Sequence, residues 1–186
     1  ETRAAAAGGI THMAAQPDCG PVDSTAVVRL IREQAGQAGF ARIMPIPAMT
    51  QGLQGEQLAE MATLAKAGCI AAGNAGRRIA SALVLKRCLE YAATFDMPVM
   101  FRPQDSALSA GGCAHEGPVA TRLGLPGIPA IAESVDLSRD LLLVEATGVR
   151  AHFQQISSRQ SLRLLREAKQ QGLPVTADVS IQHLLL

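Results

Sequence analysis

Two periods alternate along the chain. Short runs rich in apolar or β-branched residues lie at about residues 9–16, 40–48, 68–73, 97–102, 149–156 and 174–181. Between them, apolar residues recur at helical spacing. Val27, Leu30 and Ile31 share one face behind the capping candidates Asp23 and Ser24, and Leu58, Met61, Leu64 and Ala65 form the next stripe, closed by Gly68. Leu83, Arg87 and Tyr91 repeat the spacing, with Asp96 and Pro98 marking the exit into a strand. Ile131, Val135 and Leu142 mark a longer helix ending at Gly148. The last helix runs from Ser158 through Leu162 and Leu165 to Gly172, with Pro174 beyond. A polar cap before each helix and a glycine after it satisfy backbone groups that helix ends leave unpaired.

The strand runs are apolar on both faces, as in parallel strands buried between helices. Strand–helix alternation of this kind predicts an α/β fold, either an open doubly wound sheet or a closed barrel. No Gly-x-Gly-x-x-Gly or P-loop follows a strand, and Gly73-Asn74-Ala75-Gly76 is too sparse for either, which disfavours dinucleotide binding. A (β/α)8 barrel takes about 250 residues. Six strands in 186 residues therefore predict an incomplete central portion of a barrel, about six βα units. The opening Glu1-Thr2-Arg3 and its alanines read as the middle of a helix, and the close at Ile181-Gln182-His183-Leu184-Leu185-Leu186 is abrupt. Residues 1–186 are accordingly expected to be a fragment of one barrel domain.

Composition narrows the function. Hydrophobic residues at 48% and charged residues at 18% describe a chain that folds around a core. A net charge of +1, 3% aromatics and no Trp leave no basic, aromatic-laced surface for nucleic acid. No apolar stretch reaches the ~20 residues of a membrane span, and no basic segment leads into an apolar run as in a signal peptide. A cytoplasmic location is expected. Cys19, Cys69, Cys88 and Cys113 show no C-x-x-C spacing and read as buried thiols.

In a barrel, chemistry sits at the C-terminal ends of the strands. The polar residues there are Gln16-Pro17-Asp18, Thr50-Gln51, Asn74, Arg102-Pro103-Gln104-Asp105, Gln155 with Ser157, and Asp178 towards Gln182-His183. A metallohydrolase needs converging imidazoles and carboxylates. His12 falls within a strand, His115 in a loop and His183 at the end. His152 lies three positions before Gln155 and so points to the opposite face. The four read as unconnected packing and surface residues. Arg102 weighs further against a metal, because guanidinium keeps its proton and cannot become a ligand. At 5 Å and an effective dielectric of ~20, two unit charges repel by ~3 kcal/mol, and a divalent ion doubles that. Arg102 paired with Asp105 or Asp18 is the structural alternative. Lys66, Lys86 and Lys169 fall in helical stretches, which excludes a Schiff-base lysine or a carbamylated bridging lysine here. Cys19 has no neighbouring His or motif to activate it as a nucleophile. Asp18, Asp105 and Asp178 have the chemistry for acid–base work but are not paired by spacing. A metal-free barrel enzyme using Asp18, Arg102 and Asp105 on an anionic substrate stays open.

Several segments carry a family resemblance. The run Glu1-Thr2-Arg3-Ala4-Ala5-Ala6-Ala7-Gly8-Gly9-Ile10-Thr11, followed by Pro17 and Pro21, resembles dihydroorotases of the cyclic amidohydrolase superfamily. Ala67-Gly68-Cys69-Ile70-Ala71, His115-Glu116-Gly117, Gln154-Gln155-Ile156-Ser157 and His183-Leu184-Leu185 follow in the family's order. The resemblance covers essentially the whole chain and omits the family's first and last strands.

It implies a TIM-like barrel of the metal-dependent hydrolase type. Active relatives hold metal with a His-x-His on the first strand, a strand-four carboxylate, single histidines ending strands five and six, and a late Asp. The resemblance places the first pair upstream of Glu1 and the last Asp beyond Leu186. The three remaining stations are Asn74 where the family has Asp, Arg102 where it has His, and Gln155 where it has His. The family's early Asn-Thr is Asp18-Cys19 here. This pattern, with Phe101-Arg102-Pro103-Gln104-Asp105, resembles inactive dihydroorotase-like proteins that assemble with aspartate carbamoyltransferase catalytic chains. It implies a non-catalytic scaffold in a hetero-oligomer, with no cofactor. The alternative is an active dihydroorotase with zinc held partly by ligands outside this chain and by His12, His115 or His183.

Overall fold

The computed structural model describes residues 1–17 and 20–185. Asp18 and Cys19, singled out above, lie outside the described residues. Internal contacts divide the chain into two units, Glu1–Val99 and Met100–Leu186.

The first unit contains α1 (Thr2–Ala7), β1 (His12–Ala15), α2 (Thr25–Ala38), β2 (Arg42–Pro45), a 3₁₀ turn (Gln51–Leu53), α3 (Met61–Lys66), β3 (Ala72–Gly73) and α4 (Ala82–Thr94). β1 and β2 pair in parallel with His12 opposite Arg42 and Ala15 opposite Pro45. Gly73 bridges Ala48 in parallel, and the Ala72 N–H donates to the Pro98 carbonyl at 2.8 Å. Val22, Val28, Leu64 and Cys69 form a buried cluster, with Val27, Ile31 and Ala67 packed on it. Each aliphatic side chain buried in this way contributes about 1.5–3 kcal/mol. α2 stops at Gly39, whose φ of 70° is a left-handed conformation that costs glycine little.

Strand β4 (Val99–Phe101) leads into the second unit. There follow β5 (Ala114–His115), α5 (Pro118–Leu123), β6 (Gly127–Ile128), α6 (Ile131–Thr147), β7 (Ala151–Phe153), α7 (Arg159–Gln170), β8 (Val175–Ala177) and α8 (Ile181–Leu185). β5 pairs in parallel with β6, and β7 with β8. The Gln154 N–H donates to the Phe101 carbonyl at 2.8 Å. Phe101 and Phe153 are both buried, with their rings stacked at 5.2 Å. Leu137, Val144, Val149, Leu165 and Val175 are also buried.

All six expected strands are present. Four helix faces differ from expectation; in α2, Leu30 is exposed and Val28 is the buried residue. In α4, Leu83 and Arg87 are exposed, and Leu85, Cys88, Leu89 and Ala92 form the buried face. In α6, Ile131, Val135 and Leu142 are exposed, whereas Ala132, Leu137, Leu141 and Val144 are buried beside Ser134, Asp136 and Asp140. In α7, Leu162 is exposed and Leu165 buried. The α2 cap also differs. Ser24 is extended but makes no side-chain cap bond, and Asp23 accepts the Gly52 N–H at 3.1 Å instead. Cys69 and Cys88 are buried as expected, but Cys113 is exposed. No helix among the described residues is long and apolar enough to cross a membrane.

Candidate functional site

In the first unit, Asn74 follows β3 and is buried with both ends of its side chain engaged. Its Oδ1 accepts the Thr50 hydroxyl at 2.9 Å, and its Nδ2 donates to the Arg77 carbonyl at 3.0 Å. Thr50, fully buried, accepts the Gly55 N–H at 3.0 Å. Asn74 therefore ties the residue 50–55 turn to the loop that follows β3. An aspartate would place a second acceptor against the Arg77 carbonyl, so the amide suits this position better than a carboxylate.

In the second unit, Arg102 and Gln155 line one cavity of about 210 Å³. Its walls include His115, Glu133, Ser157 and His183. Strand ends explain the convergence. Arg102 directly follows β4, Gln155 lies two residues after β7, and His115 closes β5. Two of the histidines read as unconnected, His115 and His183, thus meet at a common cavity. His152 is also connected. Its Nδ1 lies 2.8 Å from the Thr176 hydroxyl and its Nε2 2.9 Å from Asp178 Oδ2. His152 and Thr176 are register partners on β7 and β8, and Asp178 lies two residues further on, so all three share a sheet face.

Two carboxylates hold the loop that carries Gln155. Asp178 Oδ1 accepts the Gln155 N–H at 2.6 Å. Glu133, in the first turn of α6, accepts the Ser157 N–H at 3.0 Å and its hydroxyl at 2.7 Å through Oε2, and the Ser158 N–H at 3.0 Å through Oε1. Burial pushes the Glu133 carboxyl up, but hydrogen bonds from Ser161, Ser157 and Ser158 outweigh it and leave the group below its ordinary value. Ser158 also caps α7 by accepting the Ser161 N–H at 3.1 Å. Gln155 has φ of 56°, a left-handed conformation uncommon outside glycine.

The remaining strand-end residues are placed differently. Asp105 caps its own turn, accepting the Ala107 and Leu108 N–H groups at 3.0 Å. Among the described residues no ion pair joins it to Arg102. His12 is exposed on β1 beside the Thr11 hydroxyl. Lys66, Lys86 and Lys169 are helical, as expected. Burial raises the Cys69 thiol and pushes Cys88 up to about 11, so neither is a ready nucleophile. Among the described residues no group of three or more His, Cys, Asp or Glu side chains is arranged to hold a metal ion. Glu133 does not stand out in the sequence. Its one local signal is an acid in a helix's first turn, and its serine partners lie 24 or more residues away.

Residues 1–161 match the family model described as dihydro-orotase-like. The chain belongs to this family. A "Dihydroorotase-like protein" of Pseudomonas putida is 52% identical over 187 residues, which cover all of this chain and 44% of the relative. A "Dihydroorotase" of Anaeromyxobacter sp. is 45% identical over 185 residues, covering 99% of this chain and 43% of the relative. The chain thus spans less than half the length of the curated relatives it matches. Among solved structures, the L-hydantoinase (dihydropyrimidinase) of Arthrobacter aurescens aligns with a TM-score of 0.77 at 21% identity, over all of this chain and 43% of the other. The dihydropyrimidinase of Brevibacillus agri aligns with a TM-score of 0.73 at 16% identity, over all of this chain and 42% of the other. The chain has an α/β fold with parallel sheets, that of the barrel amidohydrolases in part.

Proposed function

We propose that this chain is part of a non-catalytic dihydroorotase-like protein of pyrimidine biosynthesis. In this reading it is a cytoplasmic scaffold that stabilises aspartate carbamoyltransferase by assembling with its catalytic chain in a hetero-oligomer. The observation that carries the reading is Arg102 on the cavity wall, at a station where the family resemblance implies a metal-binding histidine. Zinc is the metal such hydrolases imply, and the residues at the three stations do not suit it. Guanidinium repels a divalent ion, the Gln155 amide is a weak ligand for it, and both ends of the Asn74 side chain are already bonded. The 52% identity to a protein named "Dihydroorotase-like protein" is in keeping with this reading.

Co-purification tests the partner. Tagged full-length protein is expected to retain the aspartate carbamoyltransferase catalytic chain through gel filtration at a fixed ratio, and that chain alone is expected to lose activity on storage. Separate elution, with no effect on transcarbamoylase stability, contradicts the scaffold. The second reading is an active metal-dependent dihydroorotase hydrolysing dihydroorotate to carbamoyl aspartate, with ligands supplied partly outside this chain. It is favoured by the 45% identity to a protein named "Dihydroorotase" and by the presence of His115 and His183 at the cavity.

A further inference from the structure

We propose that the end of β7 is a two-position latch, a one-residue bulge at Gln155 held by the Asp178 carboxylate, whose release takes Gln155 off the cavity wall. The latch is a property of the backbone and stands apart from the scaffold role. The ladder shows the extra residue. β7 and β8 pair in regular parallel register from Ala151 opposite Val175 to Phe153 opposite Ala177. The Asp178 N–H donates to the Phe153 carbonyl at 3.0 Å. In a regular parallel ladder the Asp178 carbonyl then accepts the N–H two residues beyond Phe153, that of Gln155. Ile156 takes that place instead, at 3.0 Å. One residue too many therefore stands opposite Asp178, and Gln155 absorbs it at φ 56°. For a residue with a Cβ this left-handed conformation is unfavourable.

The displaced Gln155 N–H finds its acceptor in the side chain of the residue whose carbonyl it has lost. Asp178 Oδ1 accepts it at 2.6 Å. The other carboxylate oxygen is also fixed, with Oδ2 2.9 Å from His152 Nε2 and His152 Nδ1 2.8 Å from the Thr176 hydroxyl. A carboxylate only accepts, so Nε2 carries the proton. Thr176, His152 and Asp178 thus form a chain that ends on the left-handed peptide. Such a conformation persists only where its surroundings enforce it. Without the carboxylate, the regular ladder is the better arrangement, because it pairs the Gln155 N–H and removes the left-handed residue. Restoring it draws Gln155 into the strand and away from the cavity it now lines. Glu133 is the second hold, since it fixes Ser157 and Ser158 just beyond the bulge. Asp178 and His152 are positioning residues in this device.

The test compares glycine and alanine at position 155 of the full-length protein by thermal unfolding. Gln155→Gly is expected to melt about 2 °C or more above Gln155→Ala, the reverse of the order at ordinary strand positions. In an Asp178→Ala background the latch is open, and the difference is expected to vanish or change sign. Asp178→Asn keeps an acceptor oxygen and is expected to retain the difference. A crystal structure of Asp178→Ala is expected to show Gln155 at negative φ with its N–H on the carbonyl of residue 178. If Asp178→Ala does not fold, His152→Ala, which frees the carboxylate to turn, takes its place and is expected to narrow the difference. Gln155→Gly melting below Gln155→Ala, a difference unchanged in the Asp178→Ala or His152→Ala background, or a positive φ at Gln155 in the Asp178→Ala structure would each overturn the proposal.

Discussion

Removing the Glu133 carboxylate should loosen the loop between β7 and α7. Glu133 accepts three hydrogen bonds from Ser157 and Ser158, two of them from backbone N–H groups. A hydrogen bond to a charged group contributes about 1.5–3 kcal/mol. The three share one half-buried carboxylate and Ser157 is exposed, so water replaces part of each and the values do not add. Glu133→Ala should therefore cost about 2 kcal/mol, and Glu133→Gln, which keeps one acceptor, about 1 kcal/mol. The pH dependence is specific. The folded carboxyl lies below its ordinary value, so its contribution is full above the unfolded pKa of about 4.3 and is lost as pH falls through the folded value. Urea unfolding of wild type and Glu133→Gln, compared at neutral pH and in acid, should show a gap that narrows on acidification. Amide exchange at Ser157 and Ser158 should accelerate in the variant. A gap that does not change with pH, or exchange left unaltered, would refute the reasoning.

Other positions give independent checks. Asn74→Asp sets a carboxylate against the Arg77 carbonyl in a buried site and should cost about 1–3 kcal/mol by urea unfolding at neutral pH. The cost should shrink in acid, where the protonated group regains a donor. Phe153→Ala empties a fully buried position stacked on Phe101 and should cost about 3–5 kcal/mol by the same assay. Alkylation of folded protein at pH 8, read by peptide mass spectrometry, should modify exposed Cys113 and spare Cys88, whose thiol is pushed up to about 11.

The strand rhythm was readable because buried parallel strands are continuous apolar runs, and all six appear where expected. β5 and β6 went unseen, since two residues each, among glycine and proline, carry no period. The face of α6 misled for a physical reason. Its buried side holds Ser134, Asp136 and Asp140 among small and branched residues, while Ile131, Val135 and Leu142 are exposed, so hydrophobicity alone points the wrong way. Asp136 earns its place by accepting the Gln104 N–H at 3.1 Å, a contact spanning 32 residues. At the cavity, strand ends marked Arg102 and Gln155. The meeting of His115 and His183 there, and the loop clamps by Glu133 and Asp178, depend on tertiary placement that spacing does not encode.

Metal content and dihydroorotase activity, measured together on the full-length protein alone and with the aspartate carbamoyltransferase catalytic chain, bear most directly on the account. It predicts no stoichiometric zinc and no hydrolysis of dihydroorotate in either state, with Arg102 and Gln155 at stations where the family resemblance implies metal-binding histidines. Stoichiometric zinc together with hydrolysis of dihydroorotate would contradict it.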